Sequence, residues 1–279
     1  MCRPTAVEAD VEGSSDWLIA GLTCRIAGAA ITGCARTLGK LRYTIPNGFT
    51  ALSLLLGLGS IVTTQIGDLE FAAWLIVWCG LLDTLDGLAA RLLKATSNFG
   101  AEFDSMADLV SFGVAPAILV FNAGLQFAGV EVESGQFWVL LVACGVFVLA
   151  GAMRLARFNL ATGQPRTGWF TGIPITAAGG GLISSMILVM IHHEDIATVL
   201  PLHLYLPILM FVLGILMVSR LRFPKAVIRK SNFINAFMFI NIAAIFYCGI
   251  FRVYPEYLFG IGVFLLIAGI IAGRITRDE

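Results

Sequence analysis

The chain has 279 residues, of which 58% are hydrophobic and 13% charged, and its mean hydropathy is +0.89. A soluble domain carries about a quarter charged residues, so this composition excludes an ordinary water-soluble globule and fits a polytopic helical membrane protein. Equal numbers of basic and acidic residues give a formal net charge of zero, and with no basic run or acidic tail there is no sign of a nucleic-acid partner.

Met1 to Trp17 is polar with several acids, unlike a cleaved signal peptide. Residues 15–40 hold Trp17, Leu18, Ile19, Leu22, Ile26 and Ile31 beside Arg25 and Arg36. Such a segment reads as an interfacial amphipathic helix or a ninth span; its Gly and Ala content and early Arg25 favour the interface. Residues 1–44 are therefore expected to form an N-terminal segment and 45–279 a transmembrane domain. Within the latter, apolar runs of membrane-crossing length fall at 45–66, 70–93, 99–124, 135–157, 172–192, 203–220, 232–251 and 255–273. The expected fold is an all-α membrane bundle of about eight transmembrane helices. Cys2, Cys24, Cys34, Cys79, Cys144 and Cys248 show no pair spacing, so neither a disulfide framework nor a metal knuckle is predicted.

Lysines and arginines orient the bundle. Connections on the N-terminal side hold Arg36, Lys40, Arg42, Arg91, Lys94, Arg154, Arg157, Arg166, Arg220, Arg222, Lys225, Arg229, Lys230, Arg274 and Arg277. The other side holds only Arg252, among Asp68, Glu70, Glu131, Glu133, Glu194 and Asp195. Both termini are therefore expected on the cytoplasmic side, and the bias favours an even span count.

Two spans carry acids that cost about 2.5–3.5 kcal/mol each near a helix centre. Asp83 and Asp86 lie in the last third of the second span, and Asp104 and Asp108 in the first turns of the third. A short polar link joins them, so both pairs reach the cytoplasmic face. At about 100° per residue, each pair shares one helix face, about 60° and about 40° apart. Four clustered carboxylates repel one another unless protonated or compensated. Hard oxygen ligands suit Mg²⁺ or Mn²⁺, and two such ions on carboxylates are a common arrangement for phosphoryl chemistry. Gly87 and Ala90 leave room for a ligand, Gly100 opens a helix N-terminus that favours anions, and Arg91 is placed to grip a phosphate. Taken alone, the acids also fit a proton relay or a cation path in a transporter.

The run Asp83-Thr84-Leu85-Asp86-Gly87-Leu88-Ala89-Ala90-Arg91, followed after eight residues by Gly100 and then at four-residue steps by Asp104 and Asp108, resembles the signature of the CDP-alcohol phosphatidyltransferase family. The resemblance implies that Asp83, Asp86 and Asp104 bind two divalent cations, with Asp108 ligating one and acting as general base. It implies that Gly87, Ala90, Arg91 and Gly100 shape the CDP pocket. Pro46-Asn47 and Thr50 are similar to the first-span start of family members, so Asn47 and Thr50 become candidate nucleotide contacts; an ordinary helix-start signal explains them equally well.

Arg154-Leu155-Ala156-Arg157-Phe158-Asn159, Phe170-Thr171-Gly172-Ile173-Pro174 and Met217 to Lys225 are similar to the serine-using, membrane-embedded branch of that family. Arg154 and Arg157 share a helix face, which suits an anionic acceptor, and with Asn159 they are the candidate serine or phosphate contacts. The rival reading is snorkelling to headgroups, which is preferred for Arg220, Arg222, Lys225, Arg229 and Lys230. The resemblance implies transfer of a phosphatidyl group from CDP-diacylglycerol to L-serine, releasing CMP, in a homodimeric integral protein of the cell (inner) membrane with its active site at the cytoplasmic face. Glycerol 3-phosphate, inositol phosphate or choline are alternative acceptors, and a cation-coupled transporter is the rival class. Gly179-Gly180-Gly181 with Ser184 and Ser185 reads as close helix packing, Glu102 as support for a helix N-terminus, and His192, His193 and His203 as remote from the acids.

Overall fold

The computed structural model describes residues 44–93, 97–160, 169–193, 201–224 and 232–275. The expected interfacial helix at 15–40 lies outside the described residues, as do Lys94, Arg166, Lys225, Arg229 and Lys230. Residues Ile45–Glu279 form one unit. Its described helices are α1 (Thr44–Ile66), α2 (Leu69–Leu92), α3 (Asn98–Phe127), α4 (Gly135–Leu160), α5 (Thr176–His192), α6 (Leu202–Val218), α7 (Asn232–Phe251) and α8 (Pro255–Ile275). The first four are long and apolar enough to cross a membrane, while the rest offer shorter apolar stretches, Thr176–His192, Leu202–Val218, Asn235–Phe251 and Pro255–Ile271.

Helix α1 shows which solvent this chain is built for. Leu52, Leu55, Leu58, Val62 and Ile66 are exposed, whereas Thr50, Ser53, Ser60 and Thr64 are buried. A water-soluble helix does the reverse; here the apolar face suits lipid and the small polar face lets backbones approach. Ser60 Oγ donates to Ala72 O at 2.9 Å, Ser111 Oγ to Ser53 O at 3.1 Å, and Cys79 Sγ to the same carbonyl at 3.2 Å. These bonds bind α1 to α2 and α3 along the length of α1.

The core lies among α2 to α6, filled by Trp74, Ile76, Phe112, Phe147, Leu188 and Met210, all essentially inaccessible. Helix α4 lies along α6. Two helices are locally widened to π-helix, α3 at Leu109–Val114 directly after Asp108, and α5 at Thr176–Ile183. The widened segments meet: a Cβ on Gly179 would stand 2.0 Å from Phe112 O, and one on Gly180 2.9 Å from the Phe112 ring. The glycine run thus serves the close packing its composition suggests.

One element departs from the all-helical expectation. Trp169–Thr171 (β1) pairs antiparallel with Arg222–Pro224 (β2), with Phe170 opposite Phe223. Pro174 and Pro224 deny helix to the residues before them, and Gly172, at φ +76°, turns the chain between ribbon and α5. Gly172 N donates to Leu221 O at 2.8 Å, and a Cβ there would lie 2.1 Å from Met217 O. Only glycine fits that position.

Candidate active site

Local signals set the helices that carry the acids. Asp68 caps α2 by accepting from Phe71 N at 3.0 Å, with Glu70 in the first turn complementing the helix dipole. Ser97 caps α3 by accepting from Gly100 N at 3.0 Å. With only Leu93 to Ser97 between them, α2 and α3 return as a hairpin and their acids face each other.

One carboxylate oxygen from each of Asp83, Asp104 and Asp108 lies within 4.8 Å of the other two, and all three residues are half-buried. Asp86 is placed differently. It is buried and accepts from Thr50 Oγ1 at 3.0 Å, so α1 holds the fourth acid at the edge of the triad. The Thr50 hydroxyl also lies 3.2 Å from Pro46 O. Asn47 joins the same corner: a Cβ on Gly100 would meet Asn47 Oδ1 and Ser97 Oγ at 3.1 Å each. Asn47, Thr50, Asp86 and Gly100 therefore gather at the junction of α1, α2 and α3. Gly87 keeps its open face apart from Arg91 Nη2 at 4.0 Å, and Ala90 is half-buried. Arg91 is exposed, its Nε donating to Gly87 O at 2.9 Å.

The triad offers three hard oxygen donors. Among the described residues no lysine or arginine comes within ion-pair distance of these acids. Adjacent uncompensated carboxylates in a membrane-embedded site are costly, and a divalent oxygen-seeking cation fits both their charge and their spacing.

On α4 the three candidate acceptor contacts separate. Arg154 is buried, lies within electrostatic reach of Asp108, and its Nε has no hydrogen-bond partner. A buried guanidinium donor left unbonded is costly, which makes it the group on α4 most ready to take an anion. Arg157 is exposed and its Nη1 donates to Val218 O at 2.8 Å, tying α4 to the end of α6. Asn159 Nδ2 donates to Glu102 Oε2 at 3.0 Å, and its Oδ1 accepts from Ser105 Oγ at 3.1 Å. Sequence reasoning gave Glu102 to the helix dipole and overlooked Ser105. Their pairing with Asn159 depends on which helix ends meet, which residue spacing along one strand of sequence does not carry.

The histidines lie elsewhere. His193 Nε2 pairs with Glu256 Oε1 at 2.8 Å, and His192 Nδ1 lies 2.9 Å from Leu188 O. Among the described residues Cys79, Cys144 and Cys248 are free and buried.

The chain is similar to known proteins. The model of one protein family, described as CDP-alcohol phosphatidyltransferase, matches residues 43–219. The chain is 38% identical over 204 residues to the CDP-diacylglycerol–serine O-phosphatidyltransferase of Helicobacter pylori, covering 72% of this chain and 81% of that protein. It is 34% identical to the Bacillus subtilis protein of the same name, over 64% of this chain and 89% of the relative. Archaetidylserine synthase of Methanothermobacter thermautotrophicus is 33% identical over 65% of this chain and 70% of its own length.

Proposed function

The chain belongs to the CDP-alcohol phosphatidyltransferase family, and from that premise we propose that it transfers the phosphatidyl group of CDP-diacylglycerol to the hydroxyl of L-serine, giving phosphatidylserine and CMP. The observation that carries this reading is the convergence of Asp83, Asp104 and Asp108 within 4.8 Å, beside the buried, unpartnered Nε of Arg154. Acids of that kind, once they hold divalent cations, would suit a diphosphate donor, and the Arg154 guanidinium suits an acceptor that brings its own carboxylate. Relatives named for serine transfer support the acceptor.

Each residue then has a task. Two divalent cations, Mg²⁺ or Mn²⁺, held by Asp83, Asp86, Asp104 and Asp108, would neutralise the diphosphate and the charge that grows on departing CMP. Asp108 takes the proton from the serine hydroxyl as its oxygen attacks the lipid-linked phosphorus. The bond from that phosphorus to the CMP oxygen breaks. Thr50 holds Asp86 in place through its hydroxyl. Asn47, Gly87, Ala90 and Gly100 shape the nucleotide pocket, Arg91 grips a phosphate, and Arg154 receives the serine carboxylate. Arg157 and Asn159 border that acceptor pocket.

The integral protein is oriented with both termini cytoplasmic and eight spans, so the site opens to the cytoplasmic face of the cell membrane, where free serine and CDP-lipid meet. The protein works as a homodimer. Purified protein given CDP-diacylglycerol, Mn²⁺ or Mg²⁺ and a panel of alcohols is expected to release CMP with serine. Release with glycerol 3-phosphate but not serine would overturn the acceptor, and no CMP with any alcohol would overturn the reading itself.

A further inference from the structure

The C-terminal turns of α4 meet two other helices at the carboxylate end of the bundle. Toward α6, Arg157 Nη1 donates to Val218 O. Toward α3, Asn159 uses both ends of its amide, donating to Glu102 Oε2 at 3.0 Å and accepting from Ser105 Oγ at 3.1 Å. Ser105 in turn lies within 3.0 Å of Ala101 O, one turn back on α3. Glu102 and Ser105 bracket Asp104 in sequence, and Asp104 is one of the three clustered carboxylates. An amide held by α3 at both its nitrogen and its oxygen has its orientation fixed by that helix. It is well placed to fix the turn that carries Asp104 against the helix that carries Arg154.

We propose that Glu102, Ser105 and Asn159 form an interhelical clasp in which Asn159 is a positioning residue: it holds the first turns of α3 against the end of α4 and so sets Asp104 within the carboxylate triad. The inference rests on the phosphatidyltransferase reading and reassigns Asn159 within it. Two consequences separate a clasp from a substrate contact. Losing a clasp disturbs the acid cluster itself and leaves the serine pocket largely as it was. Both bonds also run through Asn159, so removing Glu102 as well as Asn159 costs no more than removing Asn159 alone.

The experiment uses the full chain in detergent and compares wild type with Asn159→Ala, Glu102→Ala, the double variant and Glu102→Gln. Mn²⁺ binding is followed by the electron paramagnetic resonance signal of free Mn²⁺, without substrate. CMP release gives kcat and the serine KM. Each alanine variant is expected to weaken Mn²⁺ binding and lower kcat by about three- to tenfold, as for a partly exposed bond to a charged group. The serine KM should stay within about twofold, the double variant should match Asn159→Ala, and Glu102→Gln, which keeps an acceptor for Asn159 Nδ2, should retain most of both properties. A raised serine KM in Asn159→Ala with unaltered Mn²⁺ binding would overturn the clasp in favour of a substrate contact. Additive losses, or no change in any variant, would also overturn it. An alanine variant that fails to fold leaves the decision to Glu102→Gln, whose loss of Mn²⁺ binding in a folded protein would count against the clasp. A wild type that binds Mn²⁺ but releases no CMP would refute the transferase reading, while the binding comparison still judges the clasp.

Discussion

At the scale of single residues, Asp108 is the group on which the proposed chemistry turns. It shares the triad with Asp83 and Asp104, and Arg154 is its charged neighbour. Asp108→Asn keeps the shape and an oxygen donor but cannot accept a proton at its amide nitrogen. CMP release should fall by about 10²- to 10⁴-fold, the range for loss of a general base, while CDP-diacylglycerol binding, measured by equilibrium titration, is largely spared. Full activity in that variant would remove Asp108 from the role of base. The four acids were legible in the sequence for a plain energetic reason: each is expensive in an apolar run, so their presence needed a purpose. What spacing did not carry is that Asp86 stands apart from the other three. Asp86 instead accepts a hydrogen bond from the Thr50 hydroxyl, which comes from another helix and depends on how closely α1 and α2 approach.

At the scale of elements, hydropathy located the helices well, because a crossing segment must satisfy its backbone internally and present apolar side chains to lipid. It was blind to the ribbon of Trp169–Thr171 and Arg222–Pro224, which is short, lies between apolar runs and pairs residues about fifty positions apart in sequence. It was equally blind to the π-helical segments, since both are as apolar as the α-helix around them. Those segments matter because Leu109–Val114 begins directly after Asp108 and is packed through Phe112 on Gly179. π-Helical insertions are frequent at functional sites. Gly179→Ala puts a methyl group 2.0 Å from Phe112 O, and overpacking of this kind costs about 1–3 kcal/mol. Thermal unfolding in detergent should therefore shift down by several degrees, with activity at permissive temperature reduced because Asp108 lies at the start of the displaced segment. The neighbouring Gly181, which has open space where its Cβ would sit, is the control: Gly181→Ala should leave the melting temperature close to wild type. Equal losses in both variants would show that the packing against Phe112 is not what demands glycine.

At the scale of the whole molecule, the ends of the bundle differ in kind. One end gathers Glu70 with Arg252 at 3.8 Å, Arg252 over the Phe71 ring, and His193 with Glu256. The other gathers the acid cluster and the polar ties among α3, α4 and α6. Along α2, Glu70 and Asp83 are separated by about 20 Å at 1.5 Å per residue, most of a hydrocarbon core of about 30 Å. An orientation inferred from lysine and arginine counts thus becomes a statement about which aqueous compartment supplies the acceptor. In the proposed reaction serine is soluble and needs a watery approach, whereas the lipid donor arrives sideways from the bilayer, so the acid end is expected to face the compartment that holds serine. Under the proposed orientation, read from the positive-inside bias, that compartment is the cytoplasm. Single cysteines test the assignment in a background in which Cys2, Cys24 and Cys34 are replaced by serine, since Cys79, Cys144 and Cys248 are buried. Glu131→Cys, exposed between α3 and α4, and Asn98→Cys, exposed at the start of α3, mark opposite ends. A membrane-impermeant maleimide should label Glu131→Cys in right-side-out vesicles and Asn98→Cys in inverted ones. The reverse pattern would turn the molecule over and place serine transfer on the outer face, and labelling of both sites from one side would break the hairpin order of α2, α3 and α4 that brings the acids together.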